Sequence, residues 1–143
     1  MTLAQDCELC RLDGGEVLFR DQRLRVVLVN DPDIPGYLRV IWNAHTREMS
    51  DLTASERTHC MKAVFAAESV LRAALAPDKM NMASLGNLTP HVHWHVIARF
   101  QDDAFYPQPI WAARQRATDP VLVRQRRVAL HDLRDRLVPI LQE

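Results

Sequence analysis

The chain reads as an α+β domain built on an antiparallel sheet, and two observations carry that reading. Short β-rich segments come in pairs, 24–30 with 36–42 and 79–85 with 91–98, each pair linked by turn residues. Between the pairs lies one long amphipathic stretch, so the order is β-β-α-β-β rather than the strict alternation that builds parallel sheets.

The first pair, Leu-Arg-Val-Val-Leu-Val-Asn (24–30) and Gly-Tyr-Leu-Arg-Val-Ile-Trp (36–42), is apolar and β-branched. The intervening Asp31-Pro32-Asp33-Ile34-Pro35 is turn chemistry. Thr53-Ala-Ser-Glu56 forms a capping box, which starts a helix over 55–76 with Met61, Val64, Phe65, Leu71 and Leu75 on its apolar side. Residues 79–85 make a strand, Gly86-Asn87 a turn, and 91–98 a strand again. From Asp102 to Pro120 prolines and polar residues break the pattern into a loop. Val123, Val128, Leu130, Leu133, Leu137 and Leu141 then recur at helical spacing, predicting a C-terminal helix over 120–138 that ends near Pro139.

A chain of 143 residues without repeats or linkers is expected to be one domain over 1–143, with a core at 5–100 and a C-terminal loop and helix at 101–143. Eighteen basic residues balance eighteen acidic ones, which argues against a nucleic-acid surface. No segment is long and apolar enough for a membrane span, and no basic start precedes an apolar run. The expected compartment is the cytoplasm. Three cysteines, an odd number, fit a reducing compartment, and the Cys7-x-x-Cys10 pair suits metal binding or redox chemistry.

The chemistry concentrates in His91-Val92-His93-Trp94-His95. On an extended strand alternate side chains share a face, so the three imidazoles form one row and Val92, Trp94 and Val96 the opposite, apolar row. One such histidine is ordinary on a half-buried strand. Three on one face repel when charged together, which asks for a function. By spacing alone, two chemistries remain open. Three histidines can hold a catalytic zinc with an open position, or a neutral imidazole can attack phosphorus while a second donates a proton to the leaving oxygen.

Taken with its flanks, the motif resembles the histidine-triad family of nucleotide hydrolases and transferases. The residues that carry the resemblance are 28–36 (Leu-Val-Asn-Asp-Pro-Asp-Ile-Pro-Gly), Val40-Ile41-Trp42-Asn43-Ala44-His45, Asp51-Leu52 and His91–Phe100, within roughly 5–100. The resemblance implies a HIT-like fold, with an antiparallel sheet of about five strands, one long helix and a C-terminal helix, paired into a homodimer. It implies that His93 is the nucleophile, forming a covalent nucleotidyl-histidine at an α-phosphate, and that His95 contacts the phosphate and the leaving group, with His91 completing the triad. Asn30 matches an asparagine near the nucleoside, and the loop Gly86-Asn87-Leu88-Thr89 falls where donors hold phosphate oxygens as charge builds on them. The substrate classes implied are dinucleoside polyphosphates first and nucleoside phosphoramidates second. A nucleotide-binding module with little turnover is the third reading, beside the two chemistries above.

In zinc-bearing branches of the family the ligands are a C-x-x-C pair, a histidine after the second strand and the first triad histidine, which map to Cys7, Cys10, His45 and His91. That zinc is structural and leaves the chemistry metal-free. The chain departs from the common pattern at Tyr37, where many members have histidine, at Trp42-Asn43-Ala44 in place of a Pro-Lys stretch, and at Ala98, where proline is common. Elsewhere, Cys60 reads as core, His59 and His131 as surface or boundary residues without partners, and Arg124-Gln125-Arg126-Arg127 as a solvated helix face. Trp111 and Phe105-Tyr106-Pro107 suit closing over a base or packing at a dimer interface.

Overall fold

The computed structural model describes residues 4–142. Five strands, β1 (Glu16–Arg20), β2 (Leu24–Leu28), β3 (Tyr37–Trp42), β4 (Lys79–Ala83) and β5 (His93–Arg99), form one sheet in the order β1-β2-β3-β5-β4. Every neighbouring pair is antiparallel. The helices are α1 (Glu8–Arg11), α2 (Ala54–Leu75), α3 (Pro120–Ala129) and α4 (Leu133–Leu141). The α+β class and the five-stranded antiparallel sheet follow the expectation.

The linking turn between β2 and β3 is built by Asp31, whose carboxylate accepts from the backbone N–H of Asp33 and of Ile34. Helix α2 starts at the capping box read from the sequence, with Thr53 accepting from Glu56 N–H and the Glu56 carboxylate accepting from Thr53 N–H. Its buried stripe, Cys60, Ala63, Val64, Ala67 and Leu71, packs against Val26, Leu38, Val40 and Val96 on one face of the sheet. At the far end Gly36 lets helix and sheet approach, since a Cβ there would sit 2.6 Å from Leu75 Cδ1 and 2.9 Å from Ala98 Cβ. Helix α4 adds Leu133 and Leu137 to the same core. One face of the sheet is therefore filled, and the other carries the N-terminal segment and the polar constellation. Among the described residues no helix is long and apolar enough to cross a membrane.

Several expectations need correction. The sequence reading has no element at Glu16–Arg20, yet this segment is the edge strand β1; its irregular register at Val17/Phe19 and single fully buried residue, Leu18, erase the period-two signal. The strand expected over 91–98 begins at His93, and the strand expected over 79–85 ends at Ala83. The C-terminal helix is two helices, broken at Leu130–Asp132, and α4 runs through Pro139 to Leu141. Pro139 removes one bond of the last turns. The carbonyl it would have paired belongs to Asp135, an exposed residue that water can satisfy. Val128, counted with the apolar stripe, is exposed, and so is Phe65 on α2.

Two surface assignments also change. His59 is not unpartnered, since its Nε2 lies 2.7 Å from the Asp21 carboxylate and its ring meets Trp42 edge-on. Nor is the 124–127 run simply solvated: Arg126 pairs with Asp102 and lies 3.5 Å over the Phe100 ring, while Arg127 donates to the Asp31 carbonyl. Cys60 is core as expected, and burial pushes its thiol up to about 11.

Candidate functional site

The histidine motif is divided by the point where the strand begins. His91 precedes β5, its backbone N–H bonding Thr89 O, while His93 and His95 sit on β5 facing away from α2. Val92, Trp94 and Val96 pack toward α2, as the alternation predicts. The row of three is thus a pair plus a residue turned elsewhere.

His91 is buried, and its Nε2–H donates to the Trp42 carbonyl. In the neutral imidazole that leaves Nδ1 as a bare lone pair. This lone pair faces Cys7 Sγ at 3.4 Å, Cys10 Sγ at 3.5 Å and His45 Nδ1 at 3.3 Å, and His45 Nδ1 lies 3.3 Å from Cys10 Sγ. A tetrahedral ion with metal–sulfur bonds of about 2.3 Å and metal–nitrogen bonds of about 2.05 Å would space its ligands at about 3.3 Å for N···N and about 3.5 Å for S···N. The four side chains could therefore hold a metal ion, and all four ligand atoms lie within 4.8 Å of one another.

Local structure explains the convergence. The single turn α1 brings Cys7 and Cys10, three apart, to one side, with Cys7 O accepting from the N–H of Cys10 and Arg11. Arg25, buried on β2, fastens that turn to the sheet by donating to the carbonyls of Leu9, Leu12 and Asp13 and to the Asn43 side chain. Burial and the neighbouring Cys7 raise the Cys10 thiol above its ordinary range.

His93 is held differently. Its Nδ1 lies 2.6 Å from the His91 carbonyl, an acceptor only, so Nδ1 carries the proton and Nε2 is free. His95 stands beside it, ring centroids 4.9 Å apart, with its Nδ1 2.7 Å from the Tyr37 hydroxyl. Burial lowers the basicity of His93, aided by the Arg39 charge. Burial, His93 and Arg39 bring His95 down to about 4. Both rings are neutral at physiological pH. Burial likewise raises Tyr37, so its hydroxyl keeps its proton.

The two histidines open onto a cavity of about 410 Å³ lined also by Glu8, Arg39, Gly86, Asn87, Thr89 and Trp111. Gly86, at φ +99°, makes the turn that a side chain would strain, and the residues after it reach the histidines. Trp111 stands edge-on to His95, centroids 4.9 Å apart, which places it at the cavity mouth. Its loop is tied down by Asp103, buried and paired with Arg99, and by Arg114 and Thr118 on Asp33. Asn30 is exposed just past β2 and does not line this cavity.

The structure thus gathers His93, His95, Gly86, Asn87 and Thr89 at one site and Cys7, Cys10, His45 and His91 at another, with His91 linking the two. The three histidines do not converge on one point, since the Nδ1 atoms of His91, His93 and His95 have separate partners. Sequence reasoning missed Arg25 and Arg39, which sit inside β-rich segments and carry no motif. Tyr37 was visible only as a departure from pattern.

The family described as the HIT domain matches residues 14–102. The chain is 30% identical over 96 residues to an asymmetrical bis(5'-nucleosyl)-tetraphosphatase of Schizosaccharomyces pombe, a stretch covering 63% of this chain and 52% of that protein. The match spans about half the length of that curated relative. Among solved structures, a histidine triad protein from Bradyrhizobium japonicum superposes with a TM-score of 0.70 at 27% identity, covering 87% of this chain and 92% of the other. A Zn-bound histidine triad family protein from Mycobacterium smegmatis superposes with a TM-score of 0.60 at 19% identity, covering 93% and 99%.

Proposed function

The chain belongs to the HIT domain family, and on that premise we propose that it is a nucleotide hydrolase that works through a covalent nucleotidyl-His93 intermediate. The observation that carries this reading is the 2.6 Å bond from His93 Nδ1–H to the His91 carbonyl, which leaves Nε2 unprotonated at the cavity. The Nε2 lone pair attacks the α-phosphorus. The bond from phosphorus to the leaving group breaks, the electron pair leaving with the departing phosphate oxygen, whose charge His95 Nε2–H stabilises by donating a hydrogen bond; an amine leaving group takes its proton from water. That tautomer of His95 is supported by the Tyr37 hydroxyl, which donates to Nδ1. Water then attacks phosphorus and releases its proton to the solvent, and the bond from His93 Nε2 to phosphorus breaks, its electron pair returning to Nε2. Loop donors at Gly86, Asn87 and Thr89 take the charge on the phosphate oxygens.

Dinucleoside polyphosphate is the substrate class we place first, in keeping with the tetraphosphatase relative, and nucleoside phosphoramidate the second. Asn30 serves the nucleoside in this reading, although it lies outside the lining of the cavity. Cys7, Cys10, His45 and His91 would hold a zinc ion that supplies structure, cross-linking the N-terminal turn to the segment before β5. Because His91 also accepts from His93 through its carbonyl, that cross-link would position the nucleophile. A cytoplasmic homodimer belongs to the same reading.

The test is hydrolysis of diadenosine tetraphosphate and adenosine 5'-phosphoramidate by purified protein, with and without chelator. We expect turnover that persists at first contact with chelator and disappears in His93→Ala. Wild-type rates in His93→Ala overturn the proposal. Immediate loss to chelator with the fold intact favours a catalytic metal, and tight nucleotide binding without turnover favours a binding module.

A further inference from the structure

Arg39 is an unusual residue for its place. It lies on β3 directly opposite His95 in the register and is paired on its other side with Val27. Side chains so opposed have their Cβ atoms about 5 Å apart. The neighbouring positions on that face, Tyr37 and Ile41, are buried, as is Val27. A cation set in such a strip is costly unless its charge and donors are met.

They are met only in part. One N–H reaches the Gly14 carbonyl at 3.2 Å, and the guanidinium lies 5.4 Å from the Tyr37 ring centroid. Nε is buried and has no hydrogen-bond partner. Among the described residues no carboxylate lies within ion-pair distance of it, Glu8 on the same cavity wall included. Arg39 is among the residues lining the cavity that holds His93, His95 and the 86–89 loop. An anion is what completes such a group, and the planar fork of arginine fits a phosphate through two parallel bonds.

We propose that Arg39 binds the phosphate adjoining the one attacked by His93, so that the protein selects nucleoside polyphosphates, whose leaving group is anionic, over nucleoside phosphoramidates, whose leaving group is an amine. The inference rests on the covalent-histidine reading above. It assigns substrate choice to a strand residue outside the histidine motif and the loop.

The experiment compares wild-type, Arg39→Gln and Arg39→Lys protein on diadenosine tetraphosphate and adenosine 5'-phosphoramidate, together with binding of ATP and AMP. In Arg39→Gln the kcat/KM ratio of polyphosphate to phosphoramidate should fall at least tenfold, and the preference for ATP over AMP should fall in parallel. Arg39→Lys, which keeps the charge and loses the fork, should recover part of both. Equal losses on both substrates, or an unchanged ATP-to-AMP ratio, overturn the role of Arg39 while leaving the nucleophile intact. If the wild type turns over neither substrate, the covalent-histidine reading fails and the ATP-to-AMP ratio alone decides for or against Arg39.

Discussion

The phenolic hydroxyl of Tyr37 lies 2.7 Å from Nδ1 of His95, across two neighbouring strands and two residues off register. Because burial keeps the phenol protonated and the imidazole neutral, the hydroxyl can donate to Nδ1 and leave the other nitrogen of His95 carrying the N–H that hydrogen-bonds the leaving group. Tyr37→Phe should lower kcat about tenfold with KM little changed, in line with about 1–1.5 kcal/mol for a lost buried hydrogen bond. Steady-state kinetics on the preferred substrate checks this, and an unchanged kcat would show that His95 is oriented without Tyr37.

The buried imidazoles also make stability depend on pH. His95 has a value of about 4 in the fold against 6.5 ordinarily, so the unfolded chain binds the proton first as the solution is acidified. Stability is present above about pH 6.5 and is lost as pH falls toward 4, at up to about 1.4 kcal/mol per pH unit for this one group. The lowered value of His93 acts in the same direction. Urea denaturation at pH 7.5 and pH 5 should show the lower midpoint at pH 5, and Tyr37 or histidine variants should reduce the difference.

Loss of the four-ligand cluster should be felt as stability before it is felt as chemistry. Purified protein should carry one equivalent of zinc, and Cys7→Ser/Cys10→Ser should lose it and melt lower by about 10 °C, the shift expected for about 3 kcal/mol in a domain of this size. Metal analysis and thermal melts check this. Metal-free protein with an unchanged melting temperature would contradict it.

Asp103 is the anchor of the loop that carries Trp111. Its carboxylate pairs with buried Arg99 at 2.8 Å and accepts from the backbone N–H of Phe100, Phe105 and Tyr106. Asp103→Ala leaves an uncompensated buried cation and should cost about 3–5 kcal/mol. It should also free the loop, seen as faster proteolysis within 104–118 and a change in Trp111 fluorescence. Proteolysis at the wild-type rate would mean that Arg114 and Thr118 on Asp33 suffice.

Legibility in the sequence followed the strength of local signals. Helix α2 was readable because the Thr53–Glu56 capping box and a 22-residue pattern agree, whereas β1 was not, because an edge strand with an irregular register shows no alternation. The triad spacing located His93 and His95 but could not show that His91 lies before the strand, turned to the cysteines; that follows from Trp42 O holding its Nε2–H. Arg39 and Arg25 are hidden in apolar strands, where a charged residue reads as an exposed position until the opposite neighbours are known. The phase of Val128 misled the C-terminal reading, since α3 and α4 meet at a turn that resets the helical stripe.

The central claim is that His93 Nε2 becomes bonded to phosphorus, and trapping that bond tests it most directly. Wild-type protein mixed with diadenosine tetraphosphate or adenosine 5'-phosphoramidate, quenched within a turnover and digested, should yield a peptide containing His93 heavier by one adenylyl group, absent in His93→Ala. Turnover at an undiminished rate with no adduct on His93 under any quench time would contradict it.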